Sequence, residues 1–133
     1  MRIFNSAKQE LVELKDTRIT IYNCGPTVYN YVHIGNVRPL VIFDVLTKFL
    51  LRRGIDVYSI QNITDVDDKI INAAAEANVS EKEIADKYTN AYLDLFNLLN
   101  IKQMFMPKVS EHIVDIEKYI KALIDKGAAY VVD

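Results

Sequence analysis

The sequence has little of several features that mark whole classes of protein. It holds one cysteine in 133 residues, so no disulfide can form within the chain and no cysteine cluster can close a metal site. The 16 basic and 18 acidic side chains nearly balance, which argues against a surface built throughout to neutralise phosphates. Apolar runs such as Leu40 to Phe43 are far shorter than the ~18 residues of a membrane span, and the N-terminus lacks a signal pattern. We therefore expect a cytoplasmic protein without a membrane partner.

Glycine and proline are also scarce, with four and three residues scattered singly, and no linker or internal repeat is present. Hydrophobic residues make up 50% and charged residues 26% of the chain, as in soluble globular proteins. A chain of this length makes one domain of ordinary size. Two independent catalytic domains will not fit.

The residue pattern predicts a strand, a helix and a second strand in succession. Arg18 to Cys24 and Asp56 to Gln61 have strand character, and Val37 to Arg53 reads as a helix that stops at Gly54. This is the length of a βαβ unit with parallel strands. Apolar residues cover most of the helix circumference, so we expect the helix to be buried. The polar residues that remain form a narrow stripe: Asp44, Thr47, Lys48 and Arg52.

The rest of the chain is predicted to be mostly helical. Helices are expected from Asp67 to Ala77, from a capping box at Ser80 to about Asn100, and from near Ser110 to Gly127. Ala128 to Asp133 resembles the beginning of a strand, which leads us to expect that the polypeptide continues. The predicted fold class is α/β, with parallel strands first and a helical segment after them.

The loop from Cys24 to Asn36 carries the densest functional signal. It joins the end of a strand to the start of a helix, where free N–H groups and the helix dipole favour anions such as phosphate. Gly35 leaves the backbone open, and His33 and Asn36 add hydrogen-bonding groups one turn apart. A single histidine near a helix start is also an ordinary capping or packing residue. Arg38 is the only cation obviously near this predicted phosphate site.

Cys24 and an acidic cluster allow two interpretations each. Cys24 is either a buried, inert thiol or one ligand of a zinc site, and neither His33 nor His112 shows a zinc-type spacing to it. The segment Asn62 to Asp68 places three carboxylates in four positions, either for Mg²⁺ or to cap a helix. Thr64 lies nearest the strand end and is better placed to meet a ligand.

Several motifs together resemble those of cysteinyl-tRNA synthetases. They occur in the family's order and spacing along nearly the whole chain, and the first loop combined with the second is more specific than any single motif. The matching segments are Cys24-Gly-Pro-Thr-Val-Tyr, His33-Ile-Gly-Asn, Arg38, Phe43-Asp44, Asn62-Ile-Thr-Asp-Val-Asp-Asp-Lys69 and Glu111-His112-Ile113.

The resemblance implies a Rossmann-like catalytic domain of the class I synthetase and nucleotidylyl transferase type. Such an enzyme activates L-cysteine with ATP and Mg²⁺ and transfers the cysteinyl group to tRNA(Cys). By this similarity the ATP-binding residues are His33, Gly35 and Asn36, of which His33 and Asn36 are catalytic. Cys24 is expected to be a zinc ligand. Gly25 and Thr64 are expected to line the cysteine pocket.

The sequence also departs from the family pattern. Asn36 stands where the signature usually has histidine, so positioning and electrostatic stabilisation become its expected role. Lys108 to His112 differs mildly from the usual Arg-Ala-Thr-Glu-His. The later zinc ligands, the second half of the sheet, the Lys-Met-Ser-Lys-Ser loop and the anticodon-binding helices have no counterpart here.

We therefore expect residues 1–133 to be the N-terminal part of a catalytic domain. About 1–78 would form the βαβ half with the ATP loop, and about 79–133 a helical segment that leads to an insertion. With one zinc ligand of four, the chain is predicted to be inactive alone and to self-associate through exposed apolar surface. Two alternatives stay open, namely a related zinc-dependent ligase that acylates a small amino sugar and a short, non-catalytic binding paralogue.

Overall fold

A short antiparallel hairpin opens the chain. The computed structural model describes residues 1–102 and 104–132. Strands β1 (Arg2–Asn5) and β2 (Glu10–Glu13) pair in antiparallel register. The Oδ1 atom of Asn5 accepts hydrogen bonds from the N–H groups of Ala7 and Lys8, which closes the turn. The sequence analysis assigned no element here, because each strand has only four residues.

The predicted βαβ unit is confirmed. Strands β3 (Arg18–Asn23) and β4 (Asp56–Gln61) are parallel and in register along their whole length, and helix α1 (Ile34–Arg52) joins them. Two parallel strands need a crossover connection such as this helix, because the chain must return to the starting edge of the sheet before the second strand begins. The carboxyl ends of both strands therefore lie at the same edge of the sheet.

A third extended segment continues the parallel sheet beyond β4. The N–H of Phe105 donates to the carbonyl of Ser59 at 3.0 Å, and the N–H of Gln61 donates to the carbonyl of Phe105 at 2.9 Å. Isolated parallel bridges join Ile60 to Phe105 and Ile63 to Lys108. The sheet order is therefore segment 105–109, then β4, then β3, an extension that the sequence analysis did not predict.

The prediction that α1 is buried all round is wrong within this chain. Only the side facing the sheet is covered, and Val45 and Ile42 are 60% and 54% exposed. Two members of the predicted polar stripe, Asp44 and Thr47, are buried instead. The hydroxyl of Thr47 bonds that of Ser59 on β4, so this polar pair occupies the helix–sheet contact.

Helix α1 begins three residues earlier than predicted, at Ile34 in place of Val37. Pro39 therefore lies inside the helix and not in its first turn. Since proline has no N–H, the carbonyl of Gly35 receives no helical hydrogen bond from it. This carbonyl lies at the exposed start of the helix, where water can satisfy it.

Three further helices follow, close to the predicted positions. They are α2 (Asp68–Ala77), α3 (Glu81–Leu98) and α4 (Ile113–Asp125), with a 3-10 turn at Val109–Glu111 before the last. The capping box of Ser80 and Glu83 is confirmed at the start of α3. Its backbone and side-chain hydrogen bonds from Ser80 lower the pKa of Glu83. The core joins α1, α2, α3 and both strand ends: Val28, Leu40, Ile63, Ile70, Ala74, Ile84, Ala85, Tyr92, Phe96 and Ile101.

The end of the described chain is open to solvent. Helix α4 has no buried residue, although its sequence is strongly amphipathic. Residues 128–132 adopt no strand, contrary to the prediction for Ala128 to Asp133, whose last residue lies outside the described part. A single strand without a neighbour cannot satisfy its backbone groups as a sheet does. In the described ranges, no helix has both the length and the apolar character needed to cross a bilayer.

Candidate active site

The loops that leave β3 and β4 are bonded directly to each other. The N–H of Thr64 donates to the carbonyl of Pro26 at 3.0 Å, and the N–H of Val28 donates to the carbonyl of Thr64 at 3.1 Å. These bonds form a parallel bridge between Thr27 and Thr64. The two loops, predicted separately from sequence, therefore make one continuous rim at the carboxyl edge of the sheet.

The side chain of Asn62 fixes this rim. Its Oδ1 accepts hydrogen bonds from the Tyr22 hydroxyl at 2.9 Å and from the Gly25 N–H at 3.0 Å. Its Nδ2 donates to the Thr64 hydroxyl at 2.9 Å. One carboxamide thus ties the end of β3 to the segment after β4. Sequence reasoning placed Asn62 in a motif but gave it no role.

Gly25 is required by the close approach of the two loops. A Cβ atom at this position would lie 1.5 Å from the carbonyl oxygen of Asn62 and 2.7 Å from its carbonyl carbon. Any other residue would force the backbones apart. This packing reason stands beside the predicted role of Gly25 in the cysteine pocket.

Cys24 is exposed and lines a cavity of about 180 Å³ at the end of β3. The interpretation of Cys24 as a buried, inert thiol is therefore wrong. Strand β3 contributes to one wall and the start of α1 to another. The lining residues are Asn23, Cys24, Gly25, Pro26, Gly35, Asn36, Pro39, Gln61 and Tyr92.

The floor of this cavity is a buried polar pair. The Tyr92 hydroxyl donates to Oε1 of Gln61 at 2.7 Å, and the Gln61 amide nitrogen lies 3.4 Å from the carbonyl oxygen of Cys24. Burial raises the pKa of Tyr92 to about 12, and the hydrogen bond to Gln61 opposes part of that rise. Tyr92 therefore remains a neutral hydrogen-bond donor at physiological pH.

His33 lines a second cavity of about 290 Å³. It shares Gly25, Pro26 and Asn36 with the Cys24 cavity, so the two spaces adjoin. The imidazole at position 33 and the thiol at position 24 thus face neighbouring parts of one cleft. The lining residues of the second cavity are Gly25, Pro26, Thr27, Tyr29, Asn30, Tyr31, Val32, His33, Asn36 and Lys69.

His33 also caps helix α1. Its Nδ1 accepts a hydrogen bond from the Gly35 N–H at 2.9 Å, and Oδ1 of Asn36 accepts one from the His33 N–H at 3.3 Å. A neutral ring in this arrangement carries its proton on Nε2. The capping alternative is therefore confirmed, and it leaves Nε2 as the ring's remaining donor.

The imidazole also explains why position 35 is glycine. A Cβ atom on Gly35 would lie 2.6 Å from Cε1 and 2.9 Å from Nδ1 of the His33 ring. Gly35 was predicted to leave the backbone open to a ligand, but in this structure the histidine ring covers that space.

Lys69 is the cation that sequence reasoning missed. It lies in the first turn of α2 and lines the second cavity with His33 and Asn36. Its ammonium group stands over the Tyr29 ring, 5.4 Å from the centroid. Arg38, the predicted cation, is exposed on α1 and is not among the residues that line either cavity. The Asp-Asp-Lys spacing at a helix start was the available signal.

Two of the three carboxylates in the acidic cluster have hydrogen-bond partners in the chain, and one of them caps a helix. Oδ1 of Asp67 accepts from the Lys69 N–H at 2.9 Å and caps α2. Oδ1 and Oδ2 of Asp65 accept from the backbone N–H and the hydroxyl of Ser110, at 2.9 and 2.5 Å. In the described ranges, no group of three His, Cys, Asp or Glu side chains is placed to hold a metal ion. The Mg²⁺ alternative for this cluster therefore gains no support.

Thr64 lies at the rim but lines neither cavity, as the residues described here define them. Its hydroxyl is taken by the Asn62 amide, and its backbone carries the bridge to the first loop. The structure thus brings Cys24, Gly25, Gly35 and Asn36 to one cavity and His33 to the next. Thr64 is linked to the first loop through Asn62 and through its backbone bonds to Pro26 and Val28.

The fold is a parallel α/β domain with a cleft at the carboxyl ends of adjacent strands, the place where nucleotide-binding domains of this type bind their ligands. A family model described as the catalytic domain of class I tRNA synthetases (C) matches residues 10–133. The chain belongs to this family.

Curated relatives carry the same family name in more specific form. The cysteine–tRNA ligase of Ureaplasma parvum is 49% identical over 132 residues, which is 99% of this chain and 30% of that protein. Those of Clostridioides difficile and Finegoldia magna are 47% and 45% identical over the whole chain, again 30% of each protein. The chain thus spans about 30% of the length of these relatives.

Proposed function

We propose that this protein activates L-cysteine with ATP and Mg²⁺ and transfers the cysteinyl group to tRNA(Cys), with this chain forming part of the active site. The observation that carries the proposal is the pair of adjoining cavities, one lined by Cys24 and the other by His33. The names of the relatives support the same substrates. Since charging of tRNA serves translation, we propose the cytoplasm as its location.

The reaction has two steps. A carboxylate oxygen of cysteine attacks the α-phosphorus of ATP, the bond between that phosphorus and the bridging oxygen to the β-phosphate breaks, and pyrophosphate leaves. A hydroxyl of the terminal tRNA ribose then attacks the cysteinyl carbonyl carbon, loses its proton, and AMP leaves. Negative charge at the α-phosphate must be stabilised in both steps.

His33 and Asn36 are proposed to position and stabilise the phosphates. His33 uses Nδ1 for the cap, so Nε2 is the nitrogen available to donate to a phosphate oxygen. Asn36 uses Oδ1 for the cap, which leaves its Nδ2 to donate. The first turn of α1 contains no acidic residue that would oppose an anion. Neither side chain needs to transfer a proton in this role.

Lys69 is proposed to attract the polyphosphate. It provides positive charge to the cavity of His33, which has no carboxylate among its lining residues in the described ranges. An ammonium group binds phosphate oxygens as a point charge. We expect it to contribute to ATP affinity more than to the chemical step.

Cys24 is proposed to provide one zinc ligand in the complete enzyme. Its thiol is exposed at the end of β3, which suits a ligand. The described residues supply no second and third ligand beside it, so they do not make a zinc site on their own. Gly25 is proposed to line the cysteine pocket directly, and Thr64 through Asn62.

Cysteine-dependent exchange of pyrophosphate with ATP tests the proposal in the full product of the gene. His33→Ala should lower kcat/KM for ATP by about 100-fold, as the loss of one transition-state donor does. His112→Ala is the matched control, since His112 lies 3.5 Å from Asp115 and lines neither cavity. Equal effects of the two variants, or exchange without cysteine, would contradict the proposal.

The acceptor is tested in the same preparation. Cysteinyl transfer to tRNA(Cys) is expected, and transfer to a small amino sugar instead would support the alternative ligase. The 133-residue chain alone should form no cysteinyl-tRNA and should take up no stoichiometric zinc in equilibrium dialysis. Cysteinyl-tRNA formation would contradict the proposed inactivity of the fragment, and stoichiometric zinc uptake would contradict the count of one zinc ligand in this chain. The division into a βαβ half at about 1–78 and a helical segment at about 79–133 is proposed with them.

Self-association is proposed for the isolated chain. Apolar side chains stand open on α1 and α4, among them Val45 at 60% and Val114 at 61% exposure. Exposed apolar patches drive association. A sedimentation profile that stays monomeric at high concentration would contradict this.

A further inference from the structure

Asn23, a neighbour of Cys24 in the chain, has an unpartnered side-chain amide. It is the last residue of β3, directly before Cys24, and its side chain is only 7% exposed. Its Nδ2 is buried and has no hydrogen-bond partner in the described part of the chain. Buried amide donors are nearly always paired in folded proteins. We therefore expect the Asn23 Nδ2 to donate a hydrogen bond to an acceptor from outside the chain.

The place of Asn23 indicates where that acceptor binds. Asn23 lines the Cys24 cavity, and Gly35 and Asn36 from the first turn of α1 line its other side. No lining residue carries a charged side chain, and the helix start adds partial positive charge. Such surroundings favour an anionic oxygen.

The size of the cavity restricts the ligand further. A cavity of about 180 Å³ has room for a small amino acid. Among the substrates of the proposed reaction, the amino acid is the one that combines small size with an anionic oxygen.

Building on the proposed function, we propose that Asn23 is a substrate-binding residue whose Nδ2 donates to a carboxylate oxygen of the bound amino acid. The last torsion of asparagine is soft, so the carboxamide can turn into the cavity on binding. Because Asn36, Gly25 and Pro26 also line the His33 cavity, a carboxylate held here lies at the border with the nucleotide space. That is where the attack on the α-phosphorus must start.

Two substitutions of Asn23 separate this role from a structural one. Asn23→Leu keeps a similar volume and removes the donor, and since the donor has no protein partner, the variant should fold as well as the parent. Its KM for cysteine in the exchange reaction should rise about 10-fold or more, with the KM for ATP within about 2-fold. Asn23→Asp should raise the KM for cysteine further, because two carboxylates would repel.

Cysteamine, which lacks the carboxylate, identifies the group that Asn23 binds. The preference of the parent protein for cysteine over cysteamine, measured as a ratio of dissociation or inhibition constants, should fall about 10-fold in Asn23→Leu. Thr89→Val is the matched control, since the Thr89 hydroxyl is also buried without a partner but does not line this cavity.

The results separate this inference from the proposed function. A parent protein with no cysteine-dependent exchange would overturn the proposed function, and this inference with it. Normal exchange with an unchanged cysteine-to-cysteamine ratio in Asn23→Leu would overturn the role of Asn23 alone, as would an equal change in Thr89→Val. In that case the amide is satisfied by ordered water and not by substrate.

Discussion

Substitution of Gly25 by alanine tests the contact between the two loops most directly. The new Cβ would lie 1.5 Å from the Asn62 carbonyl oxygen, and real Cβ atoms essentially never come within 3.0 Å of a neighbour. The backbones must therefore separate by about 1.5 Å, the difference of these two distances. Such a shift breaks the hydrogen bond from the Gly25 N–H to Asn62 and strains the bridge between Thr27 and Thr64.

The expected cost follows from these contacts. Overpacking in a close contact costs about 1–3 kcal/mol, and each lost hydrogen bond adds about 1 kcal/mol. We expect Gly25→Ala to lower the free energy of unfolding by about 3 kcal/mol, which corresponds to a fall in Tm of about 10 °C in a domain of this size. Urea denaturation and a thermal scan of the chain measure both quantities.

Two other glycines serve as controls. Alanine at Gly54 meets no atom within 4 Å but takes a φ of +75°, so it should cost about 1 kcal/mol from backbone strain alone. Alanine at Gly35 meets the side chain of His33, which can turn away, so its cost should approach that of a lost cap, about 1 kcal/mol. If Gly25→Ala were no more destabilising than these variants, the account of the loop contact would be refuted.

Two further predictions concern buried polar groups. Because the pKa of Tyr92 is raised to about 12, its contribution to the free energy of unfolding is fully present below the ordinary tyrosine pKa near 10 and is lost as the pH rises through about 12. Tyr92→Phe should remove this contribution to the alkaline loss of stability, and the control Tyr130→Phe should leave it in place. A pH titration of unfolding free energy that is the same in all three proteins would contradict this. The Asp44 carboxylate accepts hydrogen bonds from Nζ of Lys48 at 2.7 Å and from the N–H of Lys102 at 2.8 Å. Asp44→Ala should lower the free energy of unfolding, measured by urea denaturation, by about 2–3 kcal/mol. Asp44→Asn keeps an acceptor and should lower it by about 1 kcal/mol. Equal losses in the two variants would show that the side-chain acceptor for the Lys102 N–H contributes nothing to stability.

The sequence predicted helix boundaries well where they depend on interactions between residues close together in the chain. Ser80 with Glu83 marked the start of α3, and Asp67 caps α2 as one interpretation of the acidic cluster required. Gly54 follows the end of α1 with a φ of 75°, a left-handed conformation that favours glycine, so the predicted stop of the helix is confirmed. Such signals depend on bonds within a few residues and are visible in the sequence.

Signals that depend on distant partners failed. Helix α1 is apolar almost all round, and its periodicity does not tell which side meets the sheet. Asp44 and Thr47 are buried because Lys102 and Ser59 provide hydrogen bonds from other parts of the chain. The extended segment at 105–109 was missed for the same reason, since only its bonds to β4 define it.

The candidate site divides in the same way. Cys24, His33, Gly35 and Asn36 lie in one loop, and its position between strand and helix was enough to find them. Lys69 and Asn23 lie in α2 and β3, outside that loop, and neither was identified as a site residue from the sequence. The resemblance places Thr64 in the cysteine pocket, which stays a prediction, and the structure adds that its hydroxyl accepts a hydrogen bond from Asn62.

The Asn62 carboxamide has a consequence for how ligands affect each other. Tyr22, Gly25 and Thr64 all bond this one side chain, and Gly25 lines both cavities. A ligand that displaces Gly25 in one cavity would therefore alter the other, so under the proposed function we expect the affinities for nucleotide and amino acid to be coupled by the same factor in both directions. Asn62→Ala removes the hydrogen bond to the Gly25 N–H and is expected to weaken this coupling.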